Sequence, residues 1–519
     1  MKQLTPFLVL ALLSNAPLPA SAEWQPKKGP LMTRWAKDVR ADSAHPEYPR
    51  PQMVRKDWLN LNGVWQLAIA GKDEAPPFGK DLPESILVPF PVESALSGVM
   101  KHAERLWYRR TFTVPSAWNG KRVLLHFGAV DWEATLWLNG KELGKHAGGY
   151  DPFSFDLTEA LKTSGEQELV VGVWDPTDKG TQPRGKQVNR PGGIFYTPTT
   201  GIWQTVWLEP VPKASIRSLE ITPDVEANRV TIQVNVDGPA DELSVGYGID
   251  VPAEPGKTAV GIAGGAPVVN KPFQILLPAS AKAMLWTPDT PRLFGLRINL
   301  LGKNGDIRKP LDTVESYFGM RKIAIGKDEH EVTRILLNGK FIFQLGPLDQ
   351  GFWPDGLYTA PTDEALRYDI EVTKKLGFNM CRKHVKVEPE RWYYWCDKLG
   401  LLVWQDMPSG DRSVAPGKGE ITRSPESARQ FERELKSLID AHLNHPSIIM
   451  WVVFNEGWGQ YDTSRVTNWV KSYDPTRLAN CASGWNDMAV GDVHDIHVYP
   501  GPGSPVPETG RAAVLGEFG

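Results

Sequence analysis

The sequence predicts a multidomain protein: a β jelly-roll sandwich, then an immunoglobulin-like β-sandwich, then a (β/α)8 TIM barrel that lacks its last part. Short alternating apolar runs separated by turn residues fill the first part of the chain, which is typical of sandwiches and jelly rolls. A second, smaller set of such runs follows. Beyond about residue 326 strands alternate with helical stretches, which indicates a parallel sheet, and seven consecutive units predict a barrel.

Residues 1–22 have the pattern of a secretory signal peptide. Lys2 gives a short positive start, Phe7 to Leu13 form an apolar core, and Ala20-Ser21-Ala22 is a small-residue cleavage site. The apolar run is too short to span a bilayer, and no other stretch approaches the length of about 18 apolar residues that spanning needs. We therefore expect an exported protein, periplasmic or extracellular, with no membrane span.

Composition excludes several functional classes. The formal net charge of −3 gives no broad basic field, so we expect no nucleic-acid partner. The three cysteines, Cys381, Cys396 and Cys481, make no disulfide framework and fit no zinc pattern, so we expect three small buried apolar side chains. We predict no cofactor and no metal site, and the composition leaves an oligomer possible. The 20 tryptophans supply flat apolar faces suited to stacking on sugar rings.

The two predicted sandwiches occupy residues 23–212 and 213–326. In the first, Asn139-Gly140 stands between two alternating runs and is a strong signal for a two-residue hairpin turn. Val211-Pro212 ends this domain. The second stretch alternates with period two and has the length of an immunoglobulin-like sandwich.

The remaining residues, 327–519, carry the predicted barrel. Helices are predicted over 362–376, 388–399 and 424–442, and seven strands over 341–346, 378–382, 401–406, 448–456, 477–484, 495–500 and 513–519. The stretch from Phe341 to Gly519 is shorter than the about 250 residues that such a barrel takes. We therefore expect a C-terminally incomplete fragment of a longer protein, poorly soluble and nearly inactive as it stands.

Two glutamates stand where predicted strands end. The run IIMWVVFNEGW, Ile448 to Trp458, leads through Asn455 into Glu456, and the run AAVLGEFG leads into Glu517. Active sites of (β/α)8 barrels are built at the carboxyl ends of the strands. A pair of carboxylates there indicates glycoside hydrolysis, which needs an acid together with a nucleophile or base. For either residue alone, an ion-pair partner or the start of a solvated loop is the alternative.

The motifs resemble those of glycoside hydrolase family 2, the β-galactosidase and β-glucuronidase family. The stretches LWYRRTFTVP and GIWQTVWLEPVP are similar to the first domain of that family. The stretches GFNMCRKH, LGLLVWQDMP, WVVFNEG and LGEFG are similar to its barrel. The resemblance covers nearly the whole mature chain and implies the same order of domains.

The resemblance also implies roles for single residues. Glu456 matches the acid/base and Glu517 the nucleophile, while Asn455 matches the residue that bonds the sugar 2-hydroxyl. Further matches near the sugar or the nucleophile are Arg382, which would hold the nucleophile charged, Tyr499, which would bond it, His384 near the glycone, and the weaker matches Trp404, Asp406, Trp485 and His497. Ion pairing inside the barrel is the alternative for Arg382. Core packing is the alternative for Tyr499, His497, Trp404 and Asp406.

One stretch departs from the family pattern, and a second has two possible interpretations. After the first barrel strand the large β-galactosidases carry His and Glu, whereas this chain has GPLDQGFWPDG, with Asp349, Trp353 and Asp355 available instead. The segment QPRGKQVNR, residues 182–190, either reaches over the barrel mouth to meet an anionic sugar or is a solvated basic loop.

These observations together predict a retaining β-glycosidase that hydrolyses O-glycosyl bonds of non-reducing β-linked sugars in oligo- or polysaccharides. The resemblance makes β-galactosidase the leading substrate hypothesis and β-glucuronidase the alternative. A protein of another class, a non-catalytic carbohydrate-binding protein that uses the jelly roll, is the competing hypothesis.

Overall fold

The computed structural model describes residues 24–253, 260–266, 268–302, 306 and 308–519. The predicted signal peptide lies outside the described residues. The described chain builds three successive β-rich parts, in the predicted order.

The first part is a sandwich of two antiparallel sheets. Its strands are β1 (Leu59–Asn60), β2 (Gly63–Ile69), β3 (Glu84–Val88), β4 (Arg105–Phe112), β5 (Arg122–Phe127), β6 (Val130–Asp131), β7 (Glu133–Leu138), β8 (Lys141–Ala147), β9 (Phe153–Asp156), β10 (Gln167–Trp174), β11 (Gly201–Ile202) and β12 (Val206–Val211). The larger sheet has the order β3-β2-β4-β10-β7-β8 and the smaller one β1-β12-β5-β9. Residues of both sheets, among them Trp65, Tyr108 and Phe127, share one buried core.

The predicted hairpin is present between β7 and β8. Asn139 and Gly140 both have positive φ, 51° and 82°, as a two-residue turn between twisted strands requires. The pairing of β7 with β8 therefore follows from local sequence.

Within the described residues, the second part is a sandwich of seven strands. Its strands are β13 (Ser215–Asp224), β14 (Arg229–Asp237), β15 (Leu243–Val251), β16 (Val260–Ala266), β17 (Pro272–Leu276), β18 (Phe294–Gly302) and β19 (Asp312–Phe318). The sheets have the orders β13-β14-β17 and β16-β15-β18-β19. Alternate apolar residues of both sheets form its core, as the period-two pattern predicts.

The third part opens with a small antiparallel sheet and continues with parallel strands and helices. Its elements are β20 (Ile323–Lys327), β21 (Thr333–Leu337), β22 (Lys340–Phe341), β23 (Leu348–Asp349), α1 (Asp363–Lys375), β24 (Met380–Lys383), α2 (Glu390–Leu399), β25 (Leu402–Asp406), α3 (Pro425–His442), β26 (Ile448–Asn455), α4 (Thr463–Tyr473), β27 (Leu478–Ser483), β28 (Val493–Val498) and β29 (Ala512–Phe518). Strands β23 to β27 form one parallel sheet, and β28 pairs in parallel with β29.

The seven parallel strands of the described residues divide between two sheets, so the structure does not confirm the incomplete barrel that the alternation predicts. The first predicted strand, 341–346, is wrong. The Asn379 side chain donates to the Phe343 carbonyl at 2.8 Å and accepts from the Leu345 amide at 3.1 Å, so these groups bond an amide side chain instead of a strand ladder. The parallel pairing begins only at Leu348.

The predicted helices are present, within two residues of their expected bounds. Thr362 and Ser424 cap α1 and α3 by accepting hydrogen bonds from Ala365 and Ser427. The apolar faces of the four helices pack on the parallel sheet, and Tyr150 and Trp203 of the first sandwich belong to the same buried cluster. The first and third parts are therefore joined by a continuous core.

Two further predictions concern buried and apolar stretches. All three cysteines are free and buried, as expected, and β26 is buried along its whole length, as a strand covered on both faces should be. Within the part of the chain that the structure describes, no helix combines the length and the apolar character needed to cross a membrane.

Candidate active site

The predicted site residues gather at the carboxyl ends of the parallel strands. Arg382 lies in β24, Asp406 ends β25, Asn455 ends β26, His497 lies in β28 and Glu517 lies in β29. Parallel strands place these ends at one edge. Side chains that are far apart in sequence therefore converge there.

Glu456 follows β26 in an unusual backbone conformation. Its φ is +52°, a left-handed value that non-glycine residues seldom adopt, and Gly457 follows with φ +75°. The Glu456 amide donates to the Ser483 carbonyl at 2.9 Å, and the Trp458 amide donates to the Asn455 carbonyl at 2.8 Å. These bonds hold the sharp turn by which Glu456 leaves the strand direction.

Glu517 is bound by groups from two other segments. Its Oε1 accepts from the Arg382 guanidinium at 3.0 Å, and its Oε2 accepts from the Tyr499 hydroxyl at 2.6 Å. His384 Nδ1 lies 3.4 Å from Oε1. Both carboxylate oxygens are therefore held in place.

The pKa of Glu517 lies below its usual value. Burial acts to raise this pKa, but the positive charge of Arg382, together with His384, His497 and the Tyr499 hydrogen bond, outweighs burial. The same geometry raises the pKa of Tyr499, through burial and through its bond to the carboxylate. These contacts therefore favour the charged form of the Glu517 carboxylate.

Arg382 connects the strands of the site. Its Nε and Nη2 donate to the two oxygens of Asp406, each at 2.9 Å, and Nη2 also donates to Asn455 Oδ1 at 2.8 Å. Burial lowers the pKa of the guanidinium, but Asp406 and Glu517 raise it above the ordinary value. Asp406 thus orients the guanidinium that binds Glu517.

The two glutamates lie close together. One carboxylate oxygen of Glu456, one of Glu517 and a ring nitrogen of His497 all lie within 4.8 Å of one another. His497 Nδ1 is 2.7 Å from Glu456 Oε1 and 3.5 Å from Glu517 Oε2. Among the described residues, this trio is the one set of His, Cys, Asp and Glu close enough to share a metal ion.

The remaining predicted site residues differ in their surroundings. His384 is buried beside Asp406 and Glu517, and burial lowers the pKa of its imidazole. Trp485 is half-buried in the loop after β27 and has no hydrogen bond to either glutamate among the described contacts. Trp404 is buried in β25 and donates to Gln344 at 2.7 Å. The structure therefore places His384 beside Glu517, whereas the Trp404 indole bonds Gln344 instead.

The acidic residues after the first barrel strand have structural partners. Asp349 accepts from Lys383 at 2.6 Å, and Asp355 accepts from the Thr33 amide and hydroxyl at 2.8 and 2.7 Å. Trp353 packs edge-on against Trp35. Within the part of the chain that the structure describes, these three side chains make no hydrogen bond or ion pair with Glu456 or Glu517.

Sequence reasoning did not assign one residue that lies at this edge. Lys186, in the segment 182–190, is buried near the Trp458 ring, with Nζ 5.8 Å from the ring centroid. The available signal was the group of basic residues in that segment. The solvated-loop alternative is thus wrong for Lys186.

Paired glutamates at the ends of parallel strands are the arrangement that glycoside hydrolysis needs. Three family models match successive stretches of the chain: "Glycosyl hydrolases family 2, sugar binding domain" over 43–197, "Glycosyl hydrolases family 2" over 214–321 and "Glycosyl hydrolases family 2, TIM barrel domain" over 335–505. The chain belongs to glycoside hydrolase family 2.

Known proteins similar to the chain carry two substrate names. A "Putative beta-glucuronidase" of Formosa agariphila is 29% identical over 352 residues, covering 67% of this chain and 39% of that protein. "Beta-galactosidase 2" of Enterobacter cloacae is 25% identical over 459 residues, covering 86% and 42%. The chain thus spans less than half the length of these relatives.

Solved structures show the same fold. The β-glucuronidase of Bacteroides uniformis superposes with a TM-score of 0.67 at 24% identity, covering 85% of this chain and 55% of that one. The β-D-glucuronidase of Dictyoglomus thermophilum superposes with a TM-score of 0.69 at 19% identity, covering 87% and 77%. At these identities the similarity speaks for the fold alone.

Proposed function

We propose that the protein is a retaining β-glycosidase in which Glu517 is the nucleophile and Glu456 the acid/base. The observation that carries this proposal is the close approach of the two carboxylates, with oxygens within 4.8 Å. Retaining enzymes hold their carboxyl groups about 5–5.5 Å apart, whereas inverting enzymes need about 6.5–9.5 Å to admit a water molecule.

The surroundings of the two glutamates support different roles. Arg382 and Tyr499 keep Glu517 charged, so its oxygen attacks the anomeric carbon while the bond to the leaving oxygen breaks. Glu456 gives its proton to that leaving oxygen. Water then attacks the glycosyl ester, Glu456 takes the proton of the water, and Glu517 leaves as the carboxylate.

Asn455 is placed to bind the sugar. Its Oδ1 accepts from Arg382, while its Nδ2 is buried without a partner among the described residues. A buried amide donor left unpaired is costly. A sugar hydroxyl at this position satisfies it, and the 2-hydroxyl is the group next to the anomeric carbon.

The substrate remains between two candidates, a β-galactoside and a β-glucuronide. Relatives with either name support them equally. The experiment is a screen of 4-nitrophenyl β-glycosides with the complete gene product and its Glu456→Gln and Glu517→Gln variants. Loss of turnover in both variants supports the proposal, whereas a protein that binds sugars without turnover, and keeps that affinity in both variants, is a carbohydrate-binding protein.

We also propose that the protein is exported. The support is the charged start, apolar core and small-residue cleavage pattern of residues 1–22. Sequencing the N-terminus of the protein made in its own host tests this proposal. A mature protein that starts at Met1 would contradict it.

A further inference from the structure

A loop of the first sandwich, residues 182–196, lies against the parallel-strand part. The amides of Arg184 and Gly185 donate to the Ser409 carbonyl at 2.8 and 2.9 Å, and Pro183 forms an antiparallel bridge with Gly410. Ser409 and Gly410 follow β25, the strand that ends at Asp406. The loop is therefore attached to the edge where the candidate active site lies.

The backbone on both sides of Lys186 is fixed. Gly185 has φ +61°, and a Cβ added there would lie 2.4 Å from the Val385 carbonyl oxygen, so only glycine fits. On the other side, the buried Gln187 donates to Asp131 at 2.8 Å and accepts from the Thr199 amide at 2.5 Å. The position of Lys186 is therefore set before any ligand binds.

Lys186 as a whole residue is 6% exposed, and its ammonium has no hydrogen bond and no ion pair among the described residues. Its neighbour is Trp458, and the ring of that residue also lies edge-on to His384, 6.5 Å between centroids. Phe195 of the same loop stacks on Trp458 at 5.7 Å. Lys186 and Phe195 thus both lie against Trp458, which follows Glu456 by two residues.

Two buried lysines of the third part, Lys383 and Lys386, are fully paired. Lys383 donates to Asp349 and Glu388 at 2.6 and 2.9 Å, and Lys386 donates to Glu388 and to two carbonyl oxygens. A largely buried ammonium without a protein partner is unfavourable, because burial removes part of its hydration. The charges of Glu517 and Glu456 act on Lys186 but do not offset burial, which lowers its pKa.

We propose that Lys186 is a specificity-determining residue that binds an anionic group, a carboxylate or a sulfate, on the sugar that is cleaved. This inference rests on the proposed glycosidase function, and it deepens that function by naming the chemistry of the substrate. An anion on the sugar supplies the partner that the protein does not give to the ammonium. The first domain thereby contributes directly to substrate choice.

A general electrostatic role is the competing explanation. Lys186 could only balance the negative charge of the two glutamates, and its removal would then slow the cleavage of neutral and anionic sugars alike. A binding role instead changes the ratio between them. The decisive quantity is therefore the ratio of kcat/KM for an anionic glycoside to kcat/KM for a neutral one.

The experiment measures kcat/KM of the complete gene product for 4-nitrophenyl β-galactoside, β-galactoside 6-sulfate and β-glucuronide. Lys186→Met should lower the ratio for one anionic glycoside by about 10- to 100-fold, the range expected for a hydrogen bond between charged groups. A lower ratio for the glucuronide identifies a carboxylate as the bound group, and a lower ratio for the sulfated sugar identifies a sulfate. Lys186→Arg, which keeps the charge, should retain more of the ratio than Lys186→Met.

Arg190→Met is the matched control, because Arg190 is an exposed basic residue of the same loop. This variant should keep the ratio of the parent protein. If Lys186→Met lowers kcat/KM equally for all three glycosides, or if Arg190→Met changes the ratio as much, the assignment to Lys186 is overturned while the glycosidase proposal stands. A parent protein that cleaves none of a full set of β-glycosides overturns both.

Discussion

Arg382 Nη1 donates to Glu517 Oε1 at 3.0 Å, and this bond ties the second parallel strand of the third part to the last. The same guanidinium holds Asp406 and Asn455. Strand ends carrying the proposed nucleophile and the proposed 2-hydroxyl ligand are thus fixed relative to each other by one buried side chain.

Arg382→Lys should lower kcat/KM by at least about 100-fold. A single ammonium cannot reproduce the planar fork that binds Asp406 while also reaching Glu517. The variant should also melt at a lower temperature, since disturbing a buried ion pair costs up to about 3–5 kcal/mol. Arg367→Lys, at an exposed pair on α1, is the control and should change neither measurement. Unaltered kinetics in Arg382→Lys would show that the fork is not needed.

Tyr499→Phe should move the acid limb of the kcat/KM profile to higher pH. The Tyr499 hydrogen bond helps to lower the pKa of Glu517, so its removal raises that pKa and leaves the nucleophile protonated up to a higher pH. Since Tyr499 is 58% exposed, the shift should stay below about one pH unit. A profile whose acid limb stays in place, or moves to lower pH, contradicts this account.

Asn455→Ala should lower kcat/KM for ordinary substrates by at least about tenfold, or about 1.4 kcal/mol. A 2-deoxy substrate lacks the hydroxyl that the buried Asn455 amide is proposed to bind, so it should lose far less. Equal losses on the two substrates would exclude the contact. The parent protein, measured on both substrates, is the reference.

Glu209→Gln should destabilise the fold without touching the site. Glu209 is fully buried and pairs with Arg50 and Arg55 at 2.9 and 3.0 Å. Burial acts to raise the pKa of Glu209, but Arg50 and its other partners hold this pKa well below the usual value. At neutral pH the variant leaves Arg50 and Arg55 without the negative charge of Glu209. The free energy of unfolding should fall by about 3–5 kcal/mol.

The sign of the pH dependence follows from the lowered pKa of Glu209. A carboxylate with a depressed pKa in the folded state stabilises the protein above its unfolded pKa, and this stabilisation is lost as the pH falls through the folded-state pKa. The difference in unfolding free energy between the parent protein and Glu209→Gln should therefore shrink in acid. Chemical denaturation at several pH values measures it, and a difference that grows in acid would be contrary evidence.

Much of the fold follows from local sequence. The Asn139-Gly140 turn, the caps at Thr362 and Ser424 and the apolar run of β26 each determine their own conformation, so they are predictable. The conformation of the segment after Phe341 was not predictable, because the Asn379 side chain bonds its backbone in place of a neighbouring strand. Whether the parallel strands of the third part form one closed sheet depends on pairing between strands far apart in sequence. The spacing of apolar residues does not determine that pairing.

The candidate site was predictable where chemistry and strand ends coincide. Glu456 and Glu517 are single carboxylates after apolar strands, and the structure brings them together. Lys186 could not be assigned from sequence, because its place depends on how the loop of one domain docks on another. Asp349 and Asp355 show the converse. Both lie in a region where the sequence suggested site residues, but Asp349 pairs with Lys383 and Asp355 accepts a hydrogen bond from the distant Thr33.

Identifying the residue that forms the glycosyl ester tests the central claim most directly. The complete gene product is incubated with the 2,4-dinitrophenyl 2-deoxy-2-fluoro-β-glycoside of its preferred sugar, digested, and examined by mass spectrometry. The label should fall on Glu517, and proton NMR of the early product from a normal substrate should show the β anomer. A label on another residue, or an α anomer as first product, would contradict a retaining mechanism through Glu517.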